Sequence, residues 1–130
     1  MIHGQNGQAM RYYSLEQFYE DMPILAGKII SEIKYSDKDY DYLYPILRGG
    51  LAVALELSKY LKIPLTDDLN DRDKSKILIA EDLIDSGITR QEYKDYDFAC
   101  IHVKQRTKET ATYHIHDVGN EWIDYWWEKK

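Results

Sequence analysis

The sequence predicts an α/β domain: a parallel sheet flanked by helices on its faces. Three observations carry this. Short apolar runs (Tyr42–Leu47, Ile77–Ala80, Asp97–Val103) have the length of buried strands. Segments with helical spacing lie between them. The chemistry-bearing polar and glycine-rich stretches fall just after strands, where open parallel sheets bind their ligands.

The elements follow in order. Residues 1–9 (MIHGQNGQA) are polar and aperiodic, and read as a disordered N-terminal extension or a cloning remnant, with Met10 as a natural start. The domain is therefore expected over residues 10–130. Ser14-Leu15-Glu16-Gln17 has the pattern of a capping box. Leu15, Phe18, Met22, Leu25, Ile29 and Ile33 then repeat at helical spacing, with Pro23 expected to kink or divide the helix. After the strand at 42–47, Arg48-Gly49-Gly50 opens a helix whose face is marked by Leu51, Ala54, Leu55, Ser58 and Leu61. Thr66 to Lys76 is polar and reads as a surface loop. The strand at 77–80 leads into Glu81-Asp82-Leu83-Ile84-Asp85-Ser86-Gly87-Ile88-Thr89 and a short helix to Tyr96. The strand at 97–103 and a further strand at 110–115 complete the sheet.

Composition bounds the partners. The 130 residues suffice for one domain, and 44% hydrophobic with 31% charged residues fits a globular chain. A net charge of −6 argues against a broad nucleic-acid or anionic-membrane surface. No segment resembles a signal peptide and no apolar run nears the ~20 residues of a membrane span, so the expected compartment is the cytoplasm. Cys100, the single cysteine, lies in an apolar run and reads as a buried thiol.

The chemistry concentrates in residues 81–89. Two adjacent acids at a strand end are costly without partners. The small and hydroxylated Ser86, Gly87 and Thr89 surround backbone N–H groups able to take a phosphate. Acids just upstream suit the hydroxyls of a sugar. The plain structural alternative is that Asp85 or Ser86 caps the next helix. The whole stretch, ILIAEDLIDSGIT, resembles the 5-phosphoribosyl 1-pyrophosphate (PRPP) motif of type I phosphoribosyltransferases. LYPILRGGLAVALELSKYL resembles that family's pyrophosphate loop, about thirty residues earlier. The end of the chain, with Lys104 after a core strand and then Trp122-Ile123, resembles the purine branch, in particular xanthine-guanine phosphoribosyltransferases.

The resemblance implies a Rossmann-like core with a small hood. It also implies transfer of a phosphoribosyl group from PRPP to a guanine, xanthine or hypoxanthine base, with release of pyrophosphate, in purine salvage. It implies Asp85 as general base at the purine N7. Glu81 and Asp82 are expected at the ribose hydroxyls, and Ser86, Gly87 and Thr89 at the 5′-phosphate. Arg48 and Gly49 are expected at pyrophosphate, and Lys104, Trp122 and Ile123 at the base. Mg²⁺ is the implied cofactor, with Asp82 its protein contributor, and a homodimer or homotetramer the implied assembly. An interface also suits the tyrosines and Trp126-Trp127. The alternative for Lys104 is a solvated strand end, and for the tryptophans a place in the core or an interface.

Three departures qualify the resemblance. Glu81 stands where Asp is frequent, and Ile88 where glycine is. The long flexible loop that closes over PRPP in the family has only the shortened Thr66–Lys76 segment as counterpart. That leaves two other readings: a non-catalytic PRPP- or nucleotide-binding protein of the same fold, or a phosphoribosyltransferase for another base.

Overall fold

The computed structural model describes residues 10–128. The N-terminal extension therefore lies outside the described residues. The order is β1 (Met10–Tyr13), α1 (Leu15–Ser36), β2 (Tyr42–Pro45), α2 (Gly49–Leu61), β3 (Ile77–Ala80), β4 (Leu83–Ile84), α3 (Ile88–Glu92), β5 (Asp97–Ala99), β6 (His102–Lys104), β7 (His116–Val118) and β8 (Trp122–Tyr125). Every named strand pair is parallel, in the orders β2-β3-β5, β4-β6-β7 and β1-β8. The first two sheets are joined where the chain bends. Glu81 N–H donates to Ala99 O, and Ile101 N–H donates to Asp82 O. β3–β4 and β5–β6 thus run side by side through Glu81-Asp82, which places those acids on the bend.

The α1 cap forms as its sequence dictates. Ser14 Oγ accepts from Gln17 N–H, and the Gln17 side chain returns to the Ser14 backbone. Pro23 does not divide the helix, which runs unbroken to Ser36. Buried residues on both sides of the proline, Phe18, Met22, Leu25, Ala26 and Ile29, hold one continuous face on the core. That packing outweighs the backbone hydrogen bond that proline cannot make.

Other expectations need correction. In α2 the buried face is Val53, Ala54 and Leu57, whereas Leu51 and Leu55 face solvent. The repeated apolar residues of LAVALEL fit two faces, and only docking on the sheet selects one. The strand read at 97–103 is two strands, bent at Cys100-Ile101, where Cys100 N–H turns to Tyr113 O. The strand read at 110–115 is not one. Tyr113 makes a single bridge to Ala99, and the true strand is β7, three to five residues further on. The strand read at 42–47 ends at Pro45, and the helix read from Thr89 to Tyr96 spans only Ile88–Glu92. No helix among the described residues is long and apolar enough to cross a membrane.

Trp126 and Trp127 are half-buried and pack inward. Their rings meet Phe18 at 5.7 and 5.6 Å, and Trp127 stacks on Tyr125 at 4.7 Å. Within the chain they pack against the core. Aromatic pairs in such tilted and offset geometries add to simple burial. They anchor β8, and with it Trp122, beside the ends of β2 and β3.

Candidate functional site

The ends of β2 and β3 bring two motifs together. After β2 the chain turns through Leu47-Arg48, whose peptide bond is cis, into Gly49 and α2. Gly49 lies against Asp82, so closely that a Cβ there would sit 2.0 Å from Asp82 Oδ2. Gly50 is pressed on the Ala80 carbonyl in the same way. The two glycines therefore let α2 start on top of the acidic bend. The resulting cleft has a volume of ≈ 410 Å³ and is lined by Arg48, Gly49, Asp82, Trp122, Asp124, Trp127 and Glu128. Trp122 from β8 thus shares a cleft with Arg48 and Asp82, which are 74 and 40 residues away in sequence.

Among the described residues no basic side chain forms an ion pair with the acids on the bend. Burial, followed by the neighbouring Asp82 carboxylate, pushes Glu81 up to about 9. Asp82 is also raised, mainly by burial, against the hydrogen bonds it accepts. Glu81 Oε1 accepts from Asp82 N–H at 3.0 Å, which curls the longer side chain back onto the bend. The extra methylene of Glu81 is therefore used locally. Two carboxyls this close cannot both ionise cheaply, and the pair holds a proton at neutral pH. Such a site gains from a ligand that brings hydroxyl donors or a cation.

A second cavity, of ≈ 70 Å³, lies over the next loop and is lined by Leu83, Ile84, Asp85, Ser86, Gly87, Thr89, Arg90 and Phe98. Gly87 has φ +91°, a conformation that favours glycine. The Arg90 guanidinium donates to the carbonyls of Thr110, Tyr93 and Tyr96 and lies 5.1 Å from the Phe98 ring. It therefore fixes the wall of the cavity and adds positive charge there.

Asp85 lines the smaller cavity and meets the end of β6. Lys104, with a side chain only 3% exposed, places Nζ 3.1 Å from Asp85 Oδ1. A solvated strand end is thereby ruled out for Lys104. Arg106 donates to the same oxygen. Burial works against the Asp85 carboxylate, but Arg106 and Lys104 outweigh it and hold its pKa below the usual range. Ile123 contributes only backbone to any ligand, since its side chain is buried in the core.

Sequence reasoning missed several neighbours. Arg106 carried no signal beyond its place two residues after Lys104. His102 and Tyr125 form a buried support beneath the bend: His102 Nδ1 pairs with Tyr125 Oη at 2.9 Å, and Tyr125 O–H donates to Asp82 O at 3.4 Å. Burial and the neighbouring His116 lower His102 to about 3, so it stays neutral. Cys100 is fully buried with its thiol pKa raised by that burial, as expected of a structural cysteine.

The Thr66–Lys76 loop does not reach either cavity. Arg72 lies 4.0 Å from the Tyr42 ring and donates to Asp68 O, while Leu69 packs under the β3–β5 face. Self-contained turns at Asp68-Asn70 and Asp73-Ser75 complete it. The loop is folded down beside β2, following the 64–66 segment that bonds to Leu43, and lines neither cavity.

The sequence matches no protein-family model and no curated protein. Solved structures do match. A purine phosphoribosyltransferase from Pyrococcus horikoshii superposes with TM-score 0.77 at 24% identity, covering 93% of this chain and 95% of that one. A xanthine-guanine-hypoxanthine phosphoribosyltransferase from Helicobacter pylori gives 0.71 at 21% identity, covering 92% and 93%. A Neisseria gonorrhoeae protein described as hypothetical, with ppGpp bound, gives 0.72 at 20% identity, covering 94% and 90%. The fold is therefore the one these phosphoribosyltransferases share, a parallel sheet flanked by helices, over nearly the whole chain.

Proposed function

We propose that this protein is a purine phosphoribosyltransferase, a pentosyl-transferring glycosyltransferase of purine salvage working in the cytoplasm. The observation that carries the reading is the shared cleft of Arg48-Gly49, Asp82 and Trp122, followed directly along the chain by the cavity of the Ser86–Thr89 loop, where Asp85 pairs with Lys104. The fold neighbours named as purine and xanthine-guanine-hypoxanthine enzymes support it.

In this reading Ser86, Gly87 and Thr89 hold the 5′-phosphate, and Glu81 and Asp82 take the ribose hydroxyls. Arg48 and the Gly49 backbone hold pyrophosphate. The base stacks on Trp122, with Ile123 backbone at its edge, and Lys104 donates to its 6-oxo group. The bond from C1′ to pyrophosphate breaks as the bond from base N9 to C1′ forms. Positive charge on the ring makes the N7 proton acidic, so Asp85, though a weak base, can accept it. The carboxylates nearby stabilise the oxocarbenium-like carbon.

Mg²⁺ fits the donor set. Asp82 lines the cleft beside Arg48 without a cationic partner of its own, and no group of three or more ligating side chains gathers among the described residues. That suits an ion that keeps waters and phosphate oxygens and takes one carboxylate. Bound there through Asp82, it supplies neutralising charge for the leaving pyrophosphate. Assembly as a homodimer or homotetramer is supported by the exposed apolar residues Leu47, Leu51 and Leu55 at the start of α2.

The loop at 66–76 favours a second reading, a non-catalytic PRPP- or nucleotide-binding protein. The ppGpp described for the N. gonorrhoeae neighbour supports that reading too. The test is an assay with PRPP, Mg²⁺ and a panel of guanine, xanthine, hypoxanthine and adenine, with PRPP binding followed by calorimetry. Nucleotide from a 6-oxopurine is expected. Asp85→Asn is expected to abolish turnover and spare PRPP binding. Binding without product from any base would favour the second reading, or an acceptor outside the panel.

A further inference from the structure

The segment after β6 lies directly on the phosphate motif. Three of its side chains meet three consecutive residues of that motif. Arg106 pairs with Asp85, Thr107 Oγ1 donates to Ser86 O at 3.2 Å, and Glu109 packs against Gly87, where a Cβ would meet its Cγ at 2.5 Å. No comparable cover comes from the 66–76 loop.

We propose that Arg106 is a positioning residue of the site: with Lys104 it clamps one oxygen of Asp85 and so fixes the direction in which the other oxygen meets the base. Both cations address Oδ1. Lys104 reaches it from the buried end of β6, Arg106 from the exposed segment beyond. Asp85 itself is half exposed, and among the described residues its ion pairs are these two. The arrangement is asymmetric. A planar guanidinium defines the plane and direction of its partner, whereas a lysine acts as a point charge free to turn away. When Lys104 swings to a 6-oxo group, Arg106 is what keeps Asp85 in place. The inference rests on the proposed transfer reaction for its consequence, but the clamp itself does not.

The charged groups around Asp85 are Lys104 on β6, Arg106 beyond it and Glu109 across Gly87. Arg90 is engaged with three carbonyls. Removing Arg106 leaves burial less opposed, so the Asp85 carboxyl then titrates at higher pH. That agrees with the depressed value in the intact site.

The experiment compares Arg106→Ala and Arg106→Lys with the parent protein. Misplacing a reacting group by ~1 Å costs on the order of 100-fold in rate. Arg106→Ala is therefore expected to lose about that factor in kcat, with PRPP affinity by calorimetry unchanged. Added guanidinium, but not sodium chloride at equal ionic strength, should restore a good part of it, and Arg106→Lys should fall between. In parallel, the Asp85 side-chain ¹³C resonance is titrated in each variant, and its midpoint should rise in Arg106→Ala. Parent kcat in Arg106→Ala, or a loss that guanidinium does not rescue, overturns the positioning role. An unmoved Asp85 midpoint overturns the clamp. If the parent protein makes no nucleotide from any base, the functional reading fails, and the Asp85 midpoint still decides whether the clamp exists.

Discussion

Gly50→Ala tests how the phosphate motifs are held together. The new Cβ would sit 2.2 Å from the Ala80 carbonyl oxygen, 3.0 Å from its carbon and 3.3 Å from Glu81 Cα. All three atoms are backbone in the central strand and its bend, so no side chain can turn aside. The Ala80 oxygen also accepts from Ile46 N–H at 2.9 Å, and Gly50 N–H donates to Ile46 O at 2.8 Å. Relief requires moving the start of α2 off β3, which stretches both bonds. Overpacking of this kind costs ~1–3 kcal/mol, and a strained hydrogen bond about 1 kcal/mol more. Alanine repays ~1 kcal/mol through helix propensity. The net loss is about 2 kcal/mol, which at a urea slope of ~1–3 kcal/mol per molar lowers the midpoint by about 1 M. Urea unfolding followed by tryptophan fluorescence measures it. Gly27→Ala serves as the control, because that helical glycine has open space around its Cβ position. A Gly50→Ala protein as stable as the parent would refute the close-approach argument.

Two other substitutions divide stability from binding differently. Gly49→Ala meets the Asp82 carboxylate rather than backbone, so the clash can be relieved by turning Asp82 away. Calorimetry with Mg²⁺ and PRPP should show at least about a tenfold loss of affinity, ~1.4 kcal/mol, with a smaller change in urea midpoint than Gly50→Ala causes. Glu81→Gln tests the proton held on the bend. Glu81 is raised to about 9 by burial and by Asp82, so the folded chain binds more protons than the unfolded chain between the ordinary carboxylate range and that value. Stability from this group is therefore complete at low pH and is lost as pH rises towards 9. In metal-free protein the midpoint should decline between pH 5 and pH 9 in the parent and decline less in Glu81→Gln (pH values chosen to span the shift). Equal slopes would mean that Glu81 ionises normally.

The fold was legible in the sequence wherever one residue type forces one outcome. Ser14 and Gln17 specify a capping box, and both halves form. Ile77–Ala80 is apolar at every position and is buried at every position. Legibility failed where two outcomes share a pattern. LAVALEL offers two apolar faces, and the sheet chooses Val53 and Leu57. DFACIHV reads as one strand, but the bend at Cys100-Ile101 is set by Tyr113 and Asp82, distant in sequence. β1 and β8 were invisible for a related reason. Each is four residues long, and each is a strand only because the other lies beside it. The candidate site shows the same division. Its motifs are local, so their residues could be named. Arg106 belongs to no motif, and its relevance arises from folding over Asp85.

Three carboxyls within five residues are perturbed in opposite directions, and the contrast bears on which reading is right. Glu81 and Asp82 are raised, and among the described residues no basic side chain pairs with either. Asp85 is lowered and carries two cations on one oxygen. Groups pushed apart in this way take different roles in one site. The raised carboxyls of the bend gain from added positive charge and hydroxyl donors, which a Mg²⁺-bound sugar pyrophosphate would supply. The Asp85 side carries the donors Lys104 and Arg106, which an electron-rich oxo base suits. A protein that only senses PRPP needs the first half. A site that also takes a base or nucleotide uses the second half, where Lys104 is buried against Asp85 and the pairing offsets the cost of burying its charge. A PRPP-only sensor leaves that pair unexplained, whereas the proposed transfer between two substrates uses it.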